Sequence, residues 1–175
     1  MAAKYQLLII SGPIGVGKTT IGDEIGVLLT KKKIANTFID LDALTQSFPR
    51  PPDDPYGDRL ACLNLGDVWA NCKATGSRNL FVSRVVEDRG ALERITSVVP
   101  ECASTLCQMN ANAETLLKRV QKREVGSLLD WHEKRTLELA ESLEKNGPFD
   151  FKVTTDARFP IEIASEIVDR VEWAI

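Results

Sequence analysis

The sequence predicts an α/β fold: a five-stranded parallel sheet with helices on both faces. Two observations carry that prediction. Apolar runs of strand length alternate with stretches of helical period along all 175 residues, and parallel strands need such crossover helices to be joined. The first strand also runs straight into a glycine-rich loop that opens a helix, a unit at home in parallel sheets. Composition agrees, since 43% hydrophobic and 27% charged residues fit a soluble globular chain rather than a disordered one. The length fits one domain over residues 1–175 with a sizeable core.

The elements follow in order. Tyr5 to Ile10 (YQLLII) is the first strand, and a helix runs from Thr20 (TIGDEIGVLLTKK). Asn36 to Asp40 (NTFID) is the second strand. Phe48 to Arg59 (FPRPPDDPYGDR) holds four prolines and a glycine, which makes it an irregular loop. Loops that long inside a compact domain are commonly functional. Leu60 to Thr75 is helical, with Leu60, Leu63, Val68, Trp69 and Cys72 near one face, and Gly76 stops it. Asn79 to Val86 (NLFVSRVV) is the third strand, Asp88 to Val98 a short helix ended by Pro100, and Thr105 to Met109 the fourth strand. A helix spans Ala113 to Arg123 and closes near Gly126. Asp130, with Glu133 three residues on, reads as the cap of a helix to about Lys145. Phe149 to Thr154 is the fifth strand, and Pro160 opens the last helix, with Ile163, Ile167, Val168 and Val171 facing inward.

The glycine-rich loop is the strongest chemical signal. Residues 12–19 read Gly-Pro-Ile-Gly-Val-Gly-Lys-Thr, a full match to G-x-x-x-x-G-K-[ST] between a strand and a helix. Glycines there let successive N–H groups turn inward at a helix N-terminus and form a concave anion site. In such a loop the lysine reaches the β- and γ-phosphates of a nucleoside triphosphate, and the threonine hydroxyl ligates Mg²⁺. Gly12, Pro13, Ile14, Gly15, Val16, Gly17, Lys18, Thr19 and Thr20 are therefore the candidate triphosphate contacts, with Thr19 also a metal ligand.

Ligands of parallel sheets bind beyond the carboxyl ends of the strands, so the other strand ends carry the remaining candidates. The second strand ends Asp40-Leu41-Asp42. Residues i and i+2 of a strand point the same way, which would bring both carboxylates to one cleft. One suits a hydrated Mg²⁺, and the other can accept a proton from an acceptor hydroxyl. Alternatively Asp42 caps a helix over Ala43 to Ser47. Arg84, near the end of the third strand, either grips the acceptor or pairs with Glu87 or Asp88. Arg119 and Arg123 lie four apart with Lys122 on the helix after the fourth strand. They either form a solvated face or belong to a lid, about 119–130, that closes over the transferring phosphoryl group. The segment Thr155 to Pro160, with Arg158, follows the fifth strand, where a loop can lie against adenine. His132 is the single histidine and reads as a helix-start residue or a substrate contact.

Taken together, these motifs resemble the small P-loop kinases of the group that contains shikimate kinase, gluconate kinase, adenylylsulfate kinase and chloramphenicol phosphotransferase. The resemblance covers nearly the whole chain. It rests on size, on GPIGVGKT after the first strand, on Asp-x-Asp after the second, on the arginine-bearing helix and on the last strand–loop–helix. It implies the P-loop NTPase sandwich with strand order 2-3-1-4-5, ATP with Mg²⁺, and γ-phosphoryl transfer to a small-molecule hydroxyl. On that resemblance Asp40 lies near the Mg²⁺ shell and Asp42 activates the acceptor. Arg119 lies near adenine or the phosphates, Arg123 near the transferring phosphate, and Lys18, Asp42 and Arg123 are the catalytic set. Arg158 joins the ATP contacts, and Asp42, Arg84 and Arg59 face the acceptor. The chain departs from the group at Ser83 to Val86, which lacks the Gly-rich turn of shikimate kinase, and at Leu41, where adenylylsulfate kinases have glycine.

Other classes are disfavoured. A net charge of −3 argues against nucleic acid as a main partner, and Lys31 to Lys33 sit at a helix end, where cations suit the dipole. No apolar stretch reaches membrane-spanning length. Cys62, Cys72, Cys102 and Cys107 lack C-x-x-C spacing and read as reduced packing residues of a cytoplasmic protein. Two alternatives stay open: a nucleotide or nucleoside kinase, for which Arg50, Arg59 and Arg84 would serve an acceptor phosphate, and a non-catalytic or regulatory nucleotide-binding protein. The guanine-reading Asn-Lys-x-Asp of GTPase switches is absent. The acceptor's identity and the oligomeric state stay open as well.

Overall fold

Strand β1 (Tyr5–Ser11) runs through the middle of the sheet, and its last five residues are buried. Leu8 and Ile10 enter one core while Leu7 and Ile9 enter the other. A strand covered on both faces reads as a continuous apolar run rather than an alternation, which is why YQLLII is so plain in the sequence. The computed structural model describes residues 4–123, 126, 129–171 and 173.

After β1 come α1 (Lys18–Lys31), β2 (Asn36–Asp40), a single 3₁₀ turn (Ala43–Thr45), α2 (Asp58–Ala74), β3 (Asn79–Ser83), α3 (Arg89–Ser97) and β4 (Cys102–Asn110). The chain continues through α4 (Ala113–Arg123), α5 (Leu129–Asn146), β5 (Phe151–Thr154) and α6 (Pro160–Arg170). All strand pairs are parallel and the order is β2-β3-β1-β4-β5, as expected. Helices α1 and α6 pack on one face through Ile21, Ile25, Leu29, Ile163 and Ile167. Helices α2 and α3 cover the other through Leu65, Trp69 and Ile95. Gly22 lets α1 approach β2 closely, because a Cβ there would fall 2.2 Å from the Phe38 ring.

Several details differ from the sequence reading, and β5 starts at Phe151 rather than Phe149. Strand β3 ends at Ser83, so Arg84 lies beyond the sheet, while β4 extends from Cys102 to Asn110. The buried stripe of α2 is Ala61, Leu65 and Trp69, four residues apart, and Leu63 is exposed. Asp130 lies inside the first turn of α5, and Glu133 accepts a hydrogen bond from Gln121 instead of capping. The expected lid, about 119–130, falls partly outside the described residues: residues 124, 125, 127 and 128 are not among them.

The register sets the site. Asp40 pairs with Ser83, Ser83 with Ile10, and Ile10 with Cys107. Hence the ends of β2, β3 and β1 lie at nearly one level, β4 runs on to Asn110, and the segments that leave them share one edge of the sheet.

Candidate active site

The chain leaves β1 through Ser11, whose hydroxyl accepts a hydrogen bond from the Val86 N–H at 2.9 Å, tying the loop's base to the segment after β3. Gly12 has φ 147°, and a Cβ there would lie 2.5 Å from the Met109 carbonyl oxygen, so no other residue fits. Gly17, the residue before α1, is also left-handed. The first turn of α1 holds no acidic residue and no capping side chain, which leaves its N–H groups to an anion. Lys18 folds back over the loop, its Nζ donating to the Gly12 carbonyl at 2.9 Å and the Pro13 carbonyl at 3.0 Å. Burial of that ammonium pushes its pKa down to about 8, against the opposing pull of Asp42 and Asp40; the charges of Arg123 and Arg84 push it down further. All four of those side chains therefore bear on the lysine from the surrounding segments.

The next layer is a chain of carboxylates and donors. The Thr19 hydroxyl donates to Asp40 Oδ2 at 2.8 Å, and Asp40 Oδ1 accepts the Asp42 N–H at 3.0 Å. The strand ends at Asp40, and Asp42 starts the 3₁₀ turn with helical dihedrals. The two carboxylates thus come together through a turn, not through strand alternation, and the Asp42 side chain caps no helix. It pairs with Arg84 instead. Arg84 Nη1 donates to Asp42 Oδ1, and Nη2 donates to Asp58 Oδ1 and, at 3.1 Å, to the Tyr56 carbonyl. Burial opposes the charge on Arg84, but its hydrogen bond to Asp58 and the charges of Asp42 and Asp58 outweigh it and raise its pKa. The expected alternative partners, Glu87 and Asp88, are otherwise used: Glu87 pairs with Arg135 and Asp88 caps α3.

Arg119 closes the loop from the other side. Its guanidinium donates to the Val16 carbonyl at 3.2 Å and to the Thr155 hydroxyl and carbonyl at 2.9 and 3.0 Å. It thereby joins the phosphate loop, α4 and the β5–α6 segment. Asp156 reinforces this junction by accepting the Asn112 N–H, while Asn112 caps α4 at Thr115. Arg123 stands at the end of α4, and Thr20 is exposed in the first turn of α1. Arg158 turns onto α6, pairing with Glu166 at 2.7 Å and donating to the Thr154 carbonyl.

Beside Asp42 and Arg84 opens a cleft of about 990 Å³. The segment between β2 and α2 forms part of its wall, held in place by Asp54, whose buried carboxylate accepts the Asp58 and Arg59 N–H groups at the start of α2. The structure does not bring Arg59 to this cleft. Its side chain, 58% exposed, pairs with Asp53 at 3.0 Å and borders a separate hollow with Pro49, Pro51 and Leu63. His132 packs edge-on against Trp131. Sequence reasoning missed Asp58, Trp131 and the Arg135–Glu87 pair, all at this cleft. It also passed over Ser83, whose buried hydroxyl sits in register with Asp40 and has no partner among the described residues. The signal for Ser83 was its place at the end of the strand beside the phosphate loop. The oxygen donors at the loop, Thr19 and Asp40, are hard ligands and fit Mg²⁺.

No family model and no curated protein sequence matches the chain. Solved structures do. A tunicamycin resistance protein of Deinococcus radiodurans matches with a TM-score of 0.65 at 15% identity, covering 97% of each chain. A shikimate kinase of Acinetobacter baumannii matches with a TM-score of 0.65 at 14% identity, covering 97% of this chain and 94% of its own. A gluconokinase of Sinorhizobium meliloti matches with a TM-score of 0.62 at 16% identity, covering 98% and 97%. The fold is that of the small P-loop kinases, and the match is end to end.

Proposed function

We propose that the protein is an ATP-dependent kinase, a single functional domain that transfers the γ-phosphoryl group to a hydroxyl of a small-molecule acceptor. The observation that carries this reading is the Thr19–Asp40–Asp42–Arg84 chain, which runs from the phosphate loop to the edge of a large cleft. A mere nucleotide-binding module has no use for a carboxylate at that boundary. The gluconokinase and shikimate kinase of like fold add support.

In this reading the loop N–H groups and Lys18 bind the β- and γ-phosphates, and Arg123 meets the transferring group. Thr19, with Asp40 through water, would hold Mg²⁺, which when bound supplies neutralisation of phosphate charge. Arg119 lies against the nucleotide where the loop, α4 and the β5–α6 segment meet, and Arg158 acts indirectly by fixing that segment onto α6. The acceptor oxygen forms its bond to Pγ as the bond from Pγ to the β–γ bridging oxygen breaks. The hydroxyl proton passes to Asp42 and on to water, and ADP leaves. Arg84 holds Oδ1 of Asp42, so the other oxygen, Oδ2, is the one that takes the proton.

Asp42→Asn tests this directly. ATP binding, measured by calorimetry with a non-hydrolysable analogue, should stay within about threefold, while acceptor-dependent ADP release falls by about 10²–10⁴. Unchanged transfer would remove Asp42 as the base. Equal absence of acceptor-dependent turnover in parent and variant, across sugars, hydroxy acids, nucleosides and antibiotic-like alcohols, would favour the non-catalytic alternative.

A further inference from the structure

The cleft beside Asp42 has a lining that phosphoryl transfer does not itself require. Three large aromatic side chains stand on its rim: Phe48 is 94% exposed, Tyr56 54% and Trp131 49%. They come from two separate parts of the chain, the segment between β2 and α2 and the first turn of α5. Ile14, Val85 and Leu139 add aliphatic surface between them. Aromatic surface gathered around one cleft and left in water is the mark of a ligand with an apolar face.

The charges restrict that ligand further. Four guanidinium groups and four carboxylates line the cleft, so formal charge cancels. Three of the guanidinium groups are already committed to protein acceptors. Arg84 bridges Asp42 and Asp58, and Arg135 pairs with Glu87. Arg50 donates to the Pro55 carbonyl at 3.1 Å and the Thr45 carbonyl at 3.2 Å. Arg94 alone of the four makes no side-chain hydrogen bond or ion pair among the described residues. A phosphate or polyhydroxy-acid acceptor is gripped by several converging donors. Here a grip by several donors would draw Arg84 or Arg135 from its carboxylates and leave them unpaired, with Arg94 alone of the four free to meet an anion.

We infer that the acceptor is an uncharged alcohol carrying a flat, apolar ring. This rests on the kinase reading above. The hydroxyl meets Asp42 at the loop side of the cleft, and the ring is covered by Trp131, Tyr56 and Phe48. Aryl alcohols and free nucleosides belong to this class. Nucleoside monophosphates, sugar acids and small cyclic hydroxy acids do not.

The test uses the full chain and two independent readouts. The first is acceptor-dependent ADP release with MgATP, using 1-phenylpropane-1,3-diol and thymidine against gluconate, shikimate and thymidine 5′-monophosphate. At least one of the two neutral ring alcohols should exceed every anion by about tenfold or more in kcat/KM. Trp131→Leu and Tyr56→Ala should each raise its KM about tenfold and leave KM for ATP within about twofold. The second readout needs no turnover. Trp69 and Trp173 are buried, so a shift of tryptophan emission to shorter wavelength on ligand addition, lost in Trp131→Leu, reports coverage of Trp131. Preference for an anion, or an unchanged acceptor KM in both variants, overturns the inference while leaving the kinase reading standing. An emission shift from the neutral ring compounds alone, with no ADP release from any probe, removes the kinase reading and supports the ligand class. Neither an emission shift nor turnover with the neutral ring compounds overturns the inference outright.

Discussion

In the proposed reading the donor and acceptor halves of the site are built by different means. The donor half is made of backbone: a loop with left-handed glycines, a helix N-terminus with no competing side chain, and one lysine folded onto two carbonyls. The acceptor half is made of side chains that meet from the segment after β2, α2, the segment after β3, α3 and α5. A backbone site tolerates almost no change of residue type, because its geometry demands glycine and its charge demands lysine. A side-chain site can be rebuilt by exchanging pairs. The difference teaches where function is fixed in this molecule and where it is set by choice of residue.

Breaking the donor half should have the largest effect. Lys18→Met removes the single ammonium seated in the loop, and kcat should fall by about 10³ or more as neutralisation of the transferring phosphate is lost. Stability should not follow activity. The variant loses two hydrogen bonds to loop carbonyls but no longer confines a charge, so its melting temperature should stay within about 5 °C of the parent's. A drop in activity accompanied by unfolding would return Lys18 to a structural role.

Breaking the acceptor half should cost less and in a different parameter. Arg84→Ala frees Asp42 and Asp58 from their shared cation and lets the start of α2 part from the 3₁₀ turn. The expected result is a rise of about ten- to a hundredfold in acceptor KM, with KM for ATP within about threefold. Stability should drop by about 1–3 kcal/mol, since Arg84 is buried but both carboxylates are reached by water, which softens the loss. If ATP affinity fell as much as acceptor affinity, the two halves would not be separable at Arg84.

The lowered pKa of Lys18 sharpens the same contrast through pH. In the free protein the ammonium titrates near 8, pushed down chiefly by burial. Triphosphate binding needs it charged, so kcat/KM for ATP should fall above about pH 8, reaching about a tenfold loss at pH 9. The sign for stability is opposite. The unfolded lysine keeps its proton to about its ordinary 10.5, so between about 8 and 10.5 the unfolded chain binds more protons and this group favours folding as pH rises. Activity that falls while resistance to urea holds or grows across that window identifies titration rather than denaturation. A flat profile to pH 10 would exclude Lys18 as the titrating group.

The same division explains what could be read from the sequence. Strands β1 and β2 and the phosphate loop were legible because each is written in consecutive residues, whereas the sheet order came from the resemblance to the small P-loop kinases. Strand β3 was read three residues too long, since Arg84-Val85-Val86 carries strand-like residues although Arg84 turns out to its carboxylates and Val86 is tied to Ser11. Strand β4 was read too short, because Cys102-Ala103-Ser104 has small side chains yet pairs with Tyr5 to Leu7. In α2 the buried stripe starts at Ala61, a residue that hydrophobicity alone passes over in favour of Leu63. The acceptor side was located but not resolved. Its defining pairs join residues 42, 58 and 84, and 87 and 135, and separations of that size leave no periodic trace.

Arg59 gives the smallest expected effect and a direct check on where the acceptor half ends. By sequence it stood with Arg84 as an acceptor contact. In the structure it follows Asp58 on the first turn of α2, but its side chain runs to Asp53 and lines the adjoining hollow rather than the cleft. An exposed pair of this kind contributes about 0–1 kcal/mol, and Asp54, which accepts the Arg59 N–H through the backbone, loses only a 4.0 Å contact with the Arg59 Nε. Arg59→Ala should therefore change acceptor kcat/KM by less than about twofold and stability by less than about 0.5 kcal/mol. Steady-state kinetics with the preferred acceptor and urea unfolding would check both. A rise of about tenfold in acceptor KM, with stability unchanged, would show that Arg59 swings into the cleft when the acceptor binds, and the boundary drawn at Asp58 would have to move outward by one residue of α2.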